Sequence, residues 1–78
     1  MKSPRTFVLL STDSGPLLAE FLGTSASGEK FAVRRCKAGG KLAGKSYVDP
    51  SIVIEDPVLL GLRRRRFLRL EAEQGLAP

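Results

Sequence analysis

Asp56-Pro57-Val58-Leu59-Leu60-Gly61-Leu62-Arg63-Arg64-Arg65-Arg66-Phe67-Leu68-Arg69-Leu70-Glu71-Ala72-Glu73 is the stretch whose reading decides the fold. It opens as a helix does, with an aspartate placed to cap and a proline at the first helical position, where the missing N–H costs nothing. Taken literally, Gly61 stops that helix after about one turn. Beyond it, Arg64, Arg66, Leu68, Leu70 and Ala72 alternate with Arg63, Arg65, Phe67, Arg69, Glu71 and Glu73, the period of a strand. Plotted at 100° per residue, Leu59 to Leu70 spreads its arginines around the wheel and leaves no clean apolar stripe. The expected structure is therefore a one-turn helix followed by a final strand. The alternative is a real helix running from Pro57 to Gln74.

Upstream, three β runs are joined by turn-forming residues. Arg5 to Ser11 is rich in aliphatic and aromatic residues, and Asp13-Ser14-Gly15-Pro16 reads as a turn. Leu17 to Leu22 alternates in part, and Gly23 to Gly28 is a run of small residues suited to a hairpin connection. Glu29 to Cys36 is the third run, which completes a meander. Lys37 to Ser46 carries a lysine every fourth residue and three glycines. Interior glycine costs a helix about 1 kcal/mol per position, so a mobile loop is expected there. Ser51 to Glu55 is a further short β run. About five short strands, a Gly/Lys loop and a one-turn helix before the last strand predict a mostly β, small SH3-like or Sm-like barrel. The competing architecture is α+β, a four-stranded antiparallel sheet with a C-terminal helix.

The 78 residues suffice for one domain, expected to span 1–78 with Met1 to Pro4 and Gln74 to Pro78 frayed. A core this small leaves a thin stability margin, for which homo-oligomerisation is a common remedy. Hydrophobic residues make up 42% of the chain, an ordinary level for a folded domain. Cys36 stands alone, which excludes an intramolecular disulfide scaffold and fits a reducing, cytoplasmic setting. No run of 18 apolar residues exists to span a membrane. The apolar stretch Phe7 to Leu10 is too short for the core of a signal peptide.

Thirteen basic residues face eight acidic ones, a net charge of +5, and five of the thirteen fall between Arg63 and Arg69. That balance points to nucleic acid or to an acidic protein surface as partner. With no histidine and one cysteine, zinc sites and Cys-His or Ser-His nucleophile pairs have no material, so neither an enzyme nor a metal or cofactor is expected. Glu55 and Asp56 read as a strand end and a helix cap. Cys36 has cationic neighbours that would lower its pKa, but a small buried hydrophobe is the simpler reading.

Gly39 to Ser46 satisfies the phosphate-loop pattern G-x-x-x-x-G-K-[ST] in every position, yet its context fails. That chemistry needs a helix beginning at the motif, and Pro50 follows Ser46 too closely for one to form. What survives is the expectation that the loop's amides and lysines touch a phosphate backbone. The predicted cationic surface joins Lys37, Lys41 and Lys45 of the loop to Arg34, Arg35, Arg63, Arg64, Arg65, Arg66 and Arg69. Tyr47 and Phe67 are the candidates for stacking on bases. The chain has no Asn and a single Gln, which argues for weak sequence preference. The competing reading is an interaction or inhibitor module docking the same basic face on an acidic protein. A membrane-surface role would need a helix with segregated faces, which the wheel does not give.

Overall fold

A computed structural model describes residues 5–75. Five antiparallel strands form one sheet: β1 (Phe7–Thr12), β2 (Gly15–Thr24), β3 (Phe31–Cys36), β4 (Leu42–Val48) and β5 (Val53–Ile54). A 3₁₀ turn, Pro50–Ile52, joins β4 to β5, and helix α1 (Pro57–Glu73) completes the chain. The spatial order is β4-β3-β2-β1-β5. No helix among the described residues is long and apolar enough to cross a membrane.

The expected meander is present. Asp13 and Ser14 form the β1–β2 turn, closed by Gly15 at φ +106° and by the Thr12 hydroxyl donating to the Gly15 carbonyl at 2.7 Å. Pairing of β1 with β2 runs from Phe7 opposite Glu20 to Thr12 opposite Gly15. The β2–β3 register shifts between Phe21 and Gly23, a bulge that leaves Leu22 exposed. Asp49 opens the 3₁₀ turn, its carboxylate accepting from the Ser51 N–H at 2.9 Å. That bond holds the Asp49 carboxyl below the usual carboxylate range.

The period-2 pattern sorts side chains onto two faces, and both bury a cluster. Phe7, Leu9 and Leu18 meet Phe67 of α1 on one face, with the Phe7 and Phe67 rings 5.6 Å apart. Leu10, Ala19, Val33 and Val48 pack on the reverse face, flanked by Phe21 and Phe31 in an edge-to-face pair at 5.2 Å. Val48 of β4 and Val53 of β5 share that second cluster although three strands lie between them. The sheet must therefore curl, yet β4 and β5 are not hydrogen-bonded to each other.

Three expectations are corrected. The sheet is open, so the architecture is closer to the α+β alternative, with one strand more, than to a closed barrel. A one-turn helix does precede the last strand, but it is Pro50–Ile52, and that strand is Val53–Ile54. Residues 63–72 are helix, and α1 passes through Gly61 without a break. One interior glycine costs about 1 kcal/mol, less than the ~1.5–3 kcal/mol that full burial of a large apolar side chain such as Phe67 returns. Finally, Lys37 to Ser46 is no mobile loop: Lys37 to Lys41 is a turn, and Leu42 onward is β4.

The glycine pair of that turn has a packing role. Gly40 is buried at φ +80°, and a Cβ there would stand 2.7 Å from the Glu71 backbone nitrogen. Only glycine lets the turn and the helix backbone approach so closely. The fraying expected of Met1 to Pro4 and of 76–78 lies outside the described residues. Gln74, expected to fray with them, caps α1 through its backbone N–H, and its side chain lies over Gly39.

Candidate cationic surface

The N-cap reading is correct: the Asp56 Oδ1 accepts from the backbone N–H of Val58 and of Leu59, both at 3.1 Å. From that anchor α1 lies against β1 and β2, and its register decides what each arginine does. The inward side carries Leu60, Phe67 and Glu71. Glu71 is buried, and it is answered by Arg5, 66 residues earlier in the chain. Arg5 donates from Nη1 to Glu71 Oε1 at 2.6 Å and from Nε to Glu20 Oε2 at 3.0 Å. Its guanidinium also stands 5.3 Å from the Phe7 ring centre and 5.6 Å from that of Phe67. Burial alone would lower the Arg5 pKa, but the hydrogen bonds to Glu71 and Glu20 outweigh it and the pKa rises.

Cys36 faces the same seam and packs against the Phe7–Phe67 cluster. Burial pushes its thiol up to about 12; Arg5 opposes the rise, while Glu20 and Glu71 add to it. Cys36 is half-buried, and the reading as a small packing residue fits better than that of a reactive thiol, because the thiolate needed for reactivity is suppressed.

On one flank of α1, Arg63 and Arg66 join Lys37 around a cleft of about 230 Å³ whose floor includes Leu18 and Phe67. A neighbouring depression is formed by Leu62, Arg65, Arg66 and Arg69, so Arg66 belongs to both. No carboxylate lines either one. Among the described residues, none of the five α1 arginines is in an ion pair. Two sequence-distant groups, the β3–β4 turn and the arginine run, thus meet on one side of the molecule.

The remaining predicted residues line neither depression. Arg64 turns to the opposite flank, 5.6 Å over the Phe7 ring. Arg34 is half-buried, its Nε donating to the Ala43 carbonyl at 2.9 Å across to β4. Arg35 sits opposite Ala19 on β3 and therefore faces the reverse side of the sheet. Lys45 and Tyr47 form their own patch on β4, with the ammonium 5.6 Å from the ring centre and Tyr47 54% exposed. Lys41 is exposed in the turn, where its carbonyl accepts from the Lys37 N–H at 2.6 Å. The single cationic band expected from the sequence is thus divided, with its densest part on α1.

Other expectations change with it. Phe67 is 5% exposed, so it is a core residue and no stacking platform. Gly39 and Gly40 of the phosphate-loop match lie against the end of α1, and the Ser46 hydroxyl that would have met a metal lies inside β4, shielded from solvent and without a partner among the described residues. Sequence reasoning missed Arg5 and Glu71, and it missed Val58 and Leu62, which are 72% and 52% exposed on the outer side of α1. An apolar residue on either side of Gly61 is the only trace of the latter in the sequence. Comparison with protein-family models, with curated proteins and with solved structures gives no match.

Proposed function

We propose that this protein is a non-enzymatic, cytoplasmic nucleic-acid-binding module that grips the phosphate backbone with little sequence preference. The contact surface is the side of α1 bearing Arg63, Arg65, Arg66 and Arg69, extended by Lys37 from the β3–β4 turn. The observation that carries this reading is the convergence of those cations around two adjoining depressions lined by no carboxylate. Such cations repel one another and are satisfied best by a polyanion. Four arginines on a helix about 25 Å long offer forked donors to successive phosphates. The chain has no Asn and one Gln, the two side chains that pair bidentately with adenine, which favours backbone contact over sequence readout.

Val58 and Leu62 favour a second reading. Arginine is enriched at interface hot spots, and exposed apolar residues grouped beside it mark an interaction surface, so an acidic protein surface is the alternative partner.

Binding of mixed-sequence oligonucleotides at about 50 and 200 mM salt separates the two. A backbone binder loses affinity steeply across that range, and replacing Arg65, Arg66 and Arg69 together by Gln should flatten the salt slope by about 2 to 3. Absence of binding at the lower salt would end the nucleic-acid reading and leave the acidic-protein one.

A further inference from the structure

The sheet ends in two unpaired edges. Among the described residues β4 pairs only with β3, and β5 only with β1. An unpaired edge presents a row of N–H and C=O groups and is a template for another strand. The two edges differ in chemistry. That of β4 runs seven residues and carries Lys45 and Tyr47, both exposed. That of β5 is two residues long and pairs only with Leu9 and Leu10, leaving the edge of β1 uncovered near Val8. An apolar groove of about 330 Å³ opens there, built from Val8, Val53, Ile54, Pro57 and Leu60, with Glu55 and Asp56 at its rim. Asp56 is committed to capping α1, so Glu55, exposed and outside any ion pair among the described residues, is the available anion.

We propose that the β4 edge of one copy docks along the β5 edge of the next, with Tyr47 in the apolar groove and Lys45 against Glu55. One edge supplies an aromatic ring and a cation; the other supplies a groove that fits a ring and a carboxylate at its mouth. Both halves belong to the same chain, which is what singles out a second copy as the occupant. A foreign strand would satisfy one edge and leave the other open. The contact joins unlike patches, so it repeats head to tail and closes into a ring, or extends if the rotation does not close. It also adds buried surface to a core too small to be robust alone. The arginines of α1 lie on neither edge, so this assembly stands or falls separately from nucleic-acid binding.

Sedimentation velocity of the full chain over a concentration series is the test, with circular dichroism confirming that each variant is folded. The expected result is a species larger than the monomer. Lys45→Glu or Glu55→Lys alone should raise its dissociation constant at least about tenfold, because like charges then face each other. The double variant, Lys45→Glu with Glu55→Lys, should restore assembly. A wild-type chain that stays monomeric, an assembly indifferent to both single reversals, or a folded double variant that fails to reassemble would each overturn the proposal.

Discussion

Arg5 lies in the seam between α1 and the sheet with a carboxylate on each of two donor nitrogens, while Arg65, Arg66 and Arg69, on the far side of the same helix, meet no carboxylate among the described residues. The side chain is the same and the surroundings are opposite. At the seam the guanidinium is covered by Phe7 and Phe67 and neutralises a buried glutamate, so its charge serves the fold. On the outer side the guanidinium groups crowd together in water, where isolated charges add little to stability. The difference teaches that charge density along a sequence does not locate function. Charge left uncompensated after folding is the better guide.

The largest effect should come from breaking the seam. Arg5→Met removes the partner of a buried carboxylate and is expected to cost about 3 kcal/mol, read as a lower urea midpoint. Arg5→Met combined with Glu71→Leu should recover part of that loss, because the more deeply buried carboxylate is then gone and only Glu20 is left without its partner. If the double variant were no more stable than the single, the ion pair would not be what holds this seam.

Cys36 sharpens the same comparison from the inner side. With its thiol raised from the ordinary 9.0 to about 12, its thiolate fraction at about pH 8 falls on the order of a thousandfold, so it should react with a disulfide reagent far more slowly in the folded protein than in the unfolded chain. The linkage has a definite sign. Between pH 9 and about 12 the unfolded chain gives up the thiol proton first, so stability falls as pH rises through that window and is unaffected by this group below it. A Cys36→Val variant should lose that part of the alkaline slope. Equal rates of thiol modification in folded and unfolded protein would contradict the placement of Cys36.

A smaller effect is expected at Gly61, inside α1 with open space where a Cβ would project. Gly61→Ala should stabilise the protein by about 0.5–1 kcal/mol, visible as a rise in Tm, since it removes glycine's conformational freedom from the unfolded chain. A loss of stability would mean that the helix is not continuous there. The smallest effect closes the comparison: Gln at Arg65, Arg66 and Arg69 together should move the urea midpoint by no more than about 0.5 kcal/mol's worth, whatever it does to binding. A large destabilisation would show that these arginines serve the fold as Arg5 does.

Legibility followed sequence distance. The β1–β2–β3 meander could be read directly, because each strand pairs with a chain neighbour and the turns carry their own Gly, Pro, Ser and Asp signals. The Asp56-Pro57 helix start was equally plain, since capping is a contact across two or three residues. The length of α1 was misread because Arg63, Arg64 and Glu71 fall on or beside its inward stripe and hide the apolar period. What makes those positions acceptable is Phe7 under Arg64 and Arg5 beside Glu71, both more than fifty residues away. The β3–β4 turn was misread for a related reason. Its glycines suggest mobility until the helix backbone that they admit is in view.

The amino-acid order alone determined a small, basic, β-rich chain without histidine, with its first three strands and the point where its helix begins. Those properties rest on composition, on alternation and on contacts between near neighbours. Tertiary structure decided that the helix continues past Gly61, that the sheet stays open with β5 beside β1, and which arginines are left without a counter-charge among the described residues. Each of these depends on side chains that meet only after folding, where burial at a given face sets the free energy of a charge and no local pattern records it.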